Sequence, residues 1–314
     1  MSKNKLTIDE FTAEIVEGVL KKVPKELRNK LEIQTMTVNK PNGNSLRGIT
    51  FRRDDDDLAP TFYLEEPYKD YLDGEDVEYI VTELAKSYMI SLVSPRNLIP
   101  EDPNMETIKD NLALRVINLE KNASYLENIP YYPVGFGLAL ICDIKMDDGM
   151  GGCWRTHVIK DFIEGESEDT LFNVAFANVK NVDPPMLRTS AIEDPDSPDV
   201  NLLDIKGCIK DSDKEPMYAV TTEGGYYGAS AFFYPGIQEK VAKKLGESYY
   251  ALPSSVHEFV IIPSSADPAV SFLEEILRAT NKAPGCEEYM ISDDVFYYDI
   301  NTRTLSLASD NALS

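Results

Sequence analysis

Ser254, Ser255, His257 and Glu258 fall within five consecutive positions of "YYALPSSVHEFVIIPSS", residues 249–265. A hydroxyl nucleophile, an imidazole base and a carboxylate are the parts of a hydrolase site. In an extended segment Ser255 and His257 share one face, with Cα atoms about 6–7 Å apart, while Glu258 points to the other. A serine–imidazole contact is therefore open to them, but the adjacent acid cannot orient that histidine. Nor is there a G-x-S-x-G elbow to expose a nucleophile beside backbone N–H groups that would stabilise an oxyanion. The plainer expectation is structural: Pro253 ends one segment, Ser254 or Ser255 hydrogen-bonds the turn, and His257 begins a strand with its ring satisfied locally.

Metal chemistry has less to draw on. The only histidines are His157 and His257, and the four cysteines (Cys142, Cys153, Cys208, Cys286) are widely spaced with no C-x-x-C pair. Structural zinc normally takes four Cys or His ligands, and Cys153 and His157 at strand rise lie about 13 Å apart. The acidic run Asp54 to Asp57 lacks the glycine-bearing spacing of a calcium loop and reads as a solvated loop. "DDGMGG" resembles a phosphate cradle only superficially, since a strand and not a helix is expected after it. Gly224 and Gly225 of "TTEGGYYGAS" are read as turn glycines between β-prone arms. Tyr226, Tyr227, Phe232, Phe233 and Tyr234 could stack a base or grip a peptide, but as strand residues they divide between two faces and read first as core. Neither a cofactor nor a metal is expected.

The elements that must position these residues are those of a mixed protein. "LTIDEFTAEIVEGVLKKV" opens with Thr7 and Glu10 in capping-box spacing and repeats Phe11, Ile15, Val19 and Val23, which predicts an amphipathic helix. Asn42-Gly43 between two β-prone arms predicts a hairpin. "VEYIVTELAKSYMISLV" predicts a second helix, and "METIKDNLALRVINLEKNASYLENI" reads as helical up to Pro130. "VGFGLALICDI" has the length and continuous apolar character of a central strand, with Cys142 as a small buried hydrophobe and "CWRTHVIKDF" returning beside it. Ser167 caps the helix "SEDTLFNVAFANVKNV". Residues 183–216 form an Asp- and Pro-rich excursion in which "NLLDIKGCI" is the one candidate strand. The remainder reads strand ("MYAVTT"), turn, strand ("YYGASAFFY"), helix ("GIQEKVAKKLG"), strand ("HEFVIIP"), helix ("PAVSFLEEILRAT") and a hairpin around "YYDINTRTLSL". Short turns between neighbouring strands imply antiparallel pairing, hence an α+β fold of mainly antiparallel sheets with amphipathic helices packed on them. The expected division is an N-terminal lobe, 1–129, and a C-terminal α+β lobe, 130–314.

"YGASAFFYPGIQEKVAKKLGESYYALPSSVHEFVIIP" resembles a bacterial family known only as a domain of unknown function, whose members carry an "LYPG" helix followed by "LPSSxHE". "GITFRRDDDDLAPTFYLEEPYKDYLDGEDVEYI" is similar to that family's N-terminal half and "YYDINTRTL" to its tail. The resemblance implies one shared architecture and brings no catalytic residue with it. The Asp- and Pro-rich insertion between Ile192 and Pro216 departs from the pattern.

Charge narrows the partners. A net charge of -23 repels nucleic acid and anionic membrane surfaces, although residues 1–53 are +5 and the rest -28. Solvated lysines on one helix and one hairpin account for the basic lobe. With no leader-like N-terminus and no long apolar run, a cytoplasmic protein is expected. The expected function is binding, to a protein or small-molecule partner, with catalysis disfavoured. A hydrolase built on Ser254 or Ser255 with His257 is the alternative. An acidic mimic of nucleic acid that occupies a basic protein groove is the second.

Overall fold

A computed structural model of the chain describes residues 5–43, 45–53, 59, 61–92, 103–147, 153–189, 200–283 and 286–311. The Asp54–Asp57 run, most of "DDGMGG" and residues 190–199 of the excursion lie outside the described residues. Two compact units divide the chain: residues 1–101 with 147–154, and residues 102–146 with 155–314. The boundary read at 129/130 falls inside the second unit.

The first unit begins with α1 (Ile8–Lys22), whose Thr7 side chain accepts from the Glu10 backbone while Glu10 reaches back to Thr7, the capping box the spacing predicts. Strands β1 (Leu31–Asn39) and β2 (Ser45–Arg53) pair antiparallel across Asn42 and Gly43, both at positive φ (64° and 74°). β3 (Thr61–Tyr63) completes a three-stranded sheet, followed by α2 (Glu65–Asp73) and α3 (Val77–Ser91). Phe11, Ile15, Val19, Ile49, Phe51, Val81 and Tyr88 fill its core. Burying each such side chain contributes about 1.5–3 kcal/mol. Three of the basic residues of this segment have carboxylate partners in the same unit: Lys21 pairs with Glu17, Lys22 with Glu78 and Arg47 with Asp9.

The second unit carries two sheets. β4 (Leu112–Asn118), β5 (Tyr131–Gly135), β6 (Leu138–Asp147) and β7 (Cys153–His157) form one, with β6 paired to the other three. The expected central strand begins only at Leu138: "VGFG" instead ends β5 and turns, with Gly135, Phe136 and Gly137 at positive φ, and β6 runs on from there buried, with Cys142 fully enclosed and β7 beside it. β4 is a correction. "LALRVIN", expected to be helical, is a strand, and ahead of it Met105–Ile108 form one α-helical turn and Lys109–Asn111 a 3-10 turn. An apolar run of seven residues fits either period, and full-length antiparallel pairing with β6 decides it. Helix α4 (Glu168–Val182), capped by Ser167, packs on β4.

The other sheet has the order β13-β12-β10-β11-β9-β8, built from β8 (Pro185–Thr189), β9 (Tyr218–Thr222), β10 (Tyr249–Ser255), β11 (Glu258–Pro263), β12 (Phe296–Asp299) and β13 (Thr304–Leu307). Its neighbouring strands are all antiparallel, so the fold is α+β as expected. Helix α5 (Ile237–Leu245) leads into β10, and α6 (Val270–Asn281) packs on β10 with Leu273 and Leu277 buried.

Three sequence expectations change here. "YYGASAFFY" is not a strand: Gly228–Phe233 form a 3-10 helix that buries Ala229, Ala231 and Phe232. "NLLDIKGCI" has one 3-10 turn (Leu202–Asp204) and no strand, because its backbone is tied to the end of α5: the Ile209 N–H donates to the Lys244 carbonyl (2.8 Å) and Lys244 Nζ to the Gly207 carbonyl (3.2 Å). Pro253 lies inside β10 instead of ending it. β12 pairs with β10 only over Tyr249–Ala251, so at Pro253 no neighbour requires the missing N–H on that side.

Candidate functional site

Alternation along paired strands places Arg115 (β4), Asp143 and Lys145 (β6), and Arg155 and His157 (β7) on one face of their sheet. Arg115 stands opposite Ile141, one diagonal step from Asp143. Toward one end this face is apolar, where Ile117, Ala139 and Ile141 pack with Leu126 and Ile129. Toward the other it carries charges, of which Arg115, Asp143 and Arg155 are almost entirely out of water.

Arg115 donates from both Nε (2.9 Å) and Nη2 (2.6 Å) to Asp143 Oδ2, with side-chain exposures of 7% and 0%. Burial pushes the Asp143 carboxyl up, and the Arg115 guanidinium overcomes it with help from His157, holding the group at about 2. Burial likewise works against the Arg115 charge, and Asp143 more than restores it. The other Asp143 oxygen lies 3.8 Å from His157 Nδ1, and the Tyr125 hydroxyl sits 3.0 Å from both nitrogens of that ring. Further along the face, Asp183 at the end of α4 takes two cations: Lys145 at 2.7 Å and Arg155 at 2.8 Å.

Tyr227 covers this charged layer. Its ring centroid lies 4.0 Å from the Arg115 guanidinium carbon and 5.8 Å from that of Arg155. Its backbone is left-handed (φ 57°, ψ 26°), a conformation a tyrosine holds only when its surroundings impose it. Those surroundings are the turn between β10 and β11. The Tyr227 N–H donates to His257 Nδ1 (3.2 Å), the Ala229 N–H to the Val256 carbonyl (3.2 Å) and Thr221 Oγ1 to the His257 carbonyl (2.8 Å). Gly228 makes the approach possible, since a Cβ there would stand 2.6 Å from the Thr222 nitrogen and 2.8 Å from the His257 carbonyl oxygen. Burial pushes the Tyr227 hydroxyl well up, against a smaller opposing pull from Arg115.

His257 therefore sits in a hairpin turn and not at the start of a strand. With Nδ1 accepting, its neutral ring carries the proton on Nε2. Burial pushes its pKa below 6.5, against smaller opposing effects of Glu258 and the Gly225 backbone. Its ring lies among aromatics, 5.4 Å from Tyr226, 5.8 Å from Tyr227 and 5.4 Å from Tyr289 between centroids. Tyr226 is 49% exposed and Tyr289 39%, so this rim faces solvent.

Of the residues singled out by sequence, Ser255 and His257 do meet, but through the backbone: Ser255 Oγ accepts from the His257 N–H (3.1 Å), the structural role expected of one of the two serines. No hydrogen bond joins Ser254 or Ser255 Oγ to the imidazole among the described residues. Glu258 turns away to Arg188 (3.1 Å). Phe232 and Tyr234 are core residues, while Tyr226 and Tyr227 belong to the rim. Sequence reasoning missed Arg115, Asp143, Arg155 and Asp183. The signal was present as one charge of opposite sign interrupting each of two similar apolar runs, "LALRVI" and "LALICDI".

The fold and this layer define an antiparallel α+β protein with a buried ionic centre under an aromatic rim. The chain matches the model of a family of unknown function (DUF5688) over residues 8–300 and belongs to that family. No curated protein matches the chain, and no solved structure does. No helix among the described residues is long and apolar enough to cross a membrane.

Proposed function

We propose that the second unit is a binding module, which recognises a small molecule or the exposed group of a partner at the Tyr226–Tyr227–His257 rim and makes no bond itself. The observation that carries this reading is the left-handed backbone of Tyr227, clamped by the imidazole of His257 with its ring seated over Arg115. Backbone strain of about 1–3 kcal/mol held by surrounding contacts is characteristic of ligand clamps. The rim pairs exposed aromatic surface with donors fixed from beneath, a combination suited to recognition.

The hydrolase alternative has less support. His257 Nδ1 is occupied by a backbone N–H, and the adjacent Glu258 is engaged by Arg188. A thermal-shift screen of the full chain against small molecules and peptides tests the proposal. Ligands should raise the melting temperature in the wild type and lose that effect in Tyr226→Ala. Turnover of an ester, phosphoester or peptide that disappears in His257→Ala, or a fluorophosphonate adduct on Ser254 or Ser255, would overturn it.

A further inference from the structure

We infer that the ligand of this site, on the binding reading above, presents an oxyanion, a carboxylate or a phosphate ester, to the guanidinium of Arg155. The argument is one of charge and of unmet donors. Lys145 and Arg155 share the single carboxylate of Asp183, so this end of the layer holds two cations to one anion, with the Lys145 side chain 25% exposed and that of Arg155 3%. Arg115 and Asp143 neutralise each other and lend nothing. A carboxylate divided between two cations compensates the buried Arg155 only in part, and an entering anion would supply the remainder.

The hydrogen bonds point the same way. Only Nη2 of Arg155 is used by Asp183, while Nε and Nη1 are buried with no partner among the described residues. A guanidinium has five N–H donors and no acceptor, so the groups that satisfy it are oxygens. Charge-assisted bonds to an oxyanion are about twice as strong as neutral ones. Arg155 shares its sheet face with His157, whose side chain is 37% exposed, and its guanidinium lies near Tyr227, so the donors sit just beneath the rim. The chain's overall charge of -23 gives no general affinity for anions, and binding must be local.

The experiment uses the full chain with inorganic phosphate and acetate as probes, and chloride at matched ionic strength as control. Melting temperature and calorimetry are read together with the Nε–Hε resonance of Arg155 in arginine-labelled protein, assigned by its absence in Arg155→Lys. Saturable movement of that resonance by phosphate or acetate, with about tenfold weaker binding of the same anion to Arg155→Gln, is expected; which of the two acts names the oxyanion. If neither anion moves the resonance, or if a folded Arg155→Gln binds equally well, the inference is wrong and buried water alone satisfies the donors. Should Arg155→Gln fail to fold, the wild-type resonance still decides. A library ligand lost in Tyr226→Ala without any effect of the anions would keep the binding module and reject the oxyanion. Anion binding at Arg155 with no library ligand would do the reverse.

Discussion

Arg115 and Asp143 form a forked ion pair at 2.6 and 2.9 Å across two neighbouring strands, both side chains nearly excluded from water, with the ring of Tyr227 lying over the guanidinium. Neither charge tolerates the loss of the other. Asp143→Ala should destabilise the protein by about 3–5 kcal/mol, because it strands a buried guanidinium. The double variant Arg115→Met with Asp143→Ala should be less destabilised than Asp143→Ala alone, as measured by urea unfolding.

The same pair predicts an acid limb. The folded-state pKa of Asp143, about 2, is depressed below the ordinary 3.8, so its contribution is fully present above pH about 4 and is lost as pH falls toward 2. The stability gap between wild type and Asp143→Asn should stay constant from neutrality to pH about 4 and then narrow. A gap that narrows already at pH 6 would contradict the assignment.

His257 should be more than half neutral at pH 6.5. Burial lowers its pKa, so the stability linked to its neutral form is present above the ordinary pKa and declines as pH falls through the lower folded value. Ring chemical shifts followed by NMR from pH 8 to 5 should give a midpoint below 6.5.

Gly228→Ala should cost about 1–3 kcal/mol through overpacking, since the new methyl meets the backbone of Thr222 and His257. It should also disturb the His257 ring shifts, because Gly228 sets the distance between the Tyr227 loop and the hairpin turn.

The two serines should separate cleanly. Ser255→Ala removes the acceptor for the His257 N–H and should destabilise by about 1 kcal/mol. Ser254→Ala should be within about 0.5 kcal/mol of wild type by thermal unfolding.

Much of this molecule is written locally. The Thr7–Glu10 box, the Asn42-Gly43 hairpin, the Ser167 cap and the antiparallel α+β class depend on residues a few positions apart, and local pattern reads them. The strand identity of "LALRVIN" does not, since its pairing partners on β6 lie 20 to 32 residues downstream. The glycine-rich "GYYGAS" defeats strand propensity for the same kind of reason: it must fold tightly against the turn at His257, 30 residues away, and a 3-10 helix fits that space.

For the site the division is sharper. By itself the sequence determined which residues could carry chemistry, two histidines and a cluster of tyrosines, and that the adjacent Glu258 could not orient His257. Only the tertiary structure decided that Arg115, Asp143, Arg155 and Asp183, spread over nearly seventy positions, share one buried layer beneath Tyr227. The reason is physical: a charge within an apolar run is costly until pairing across strands supplies its counter-charge, and strand register brings the two together from distant parts of the chain.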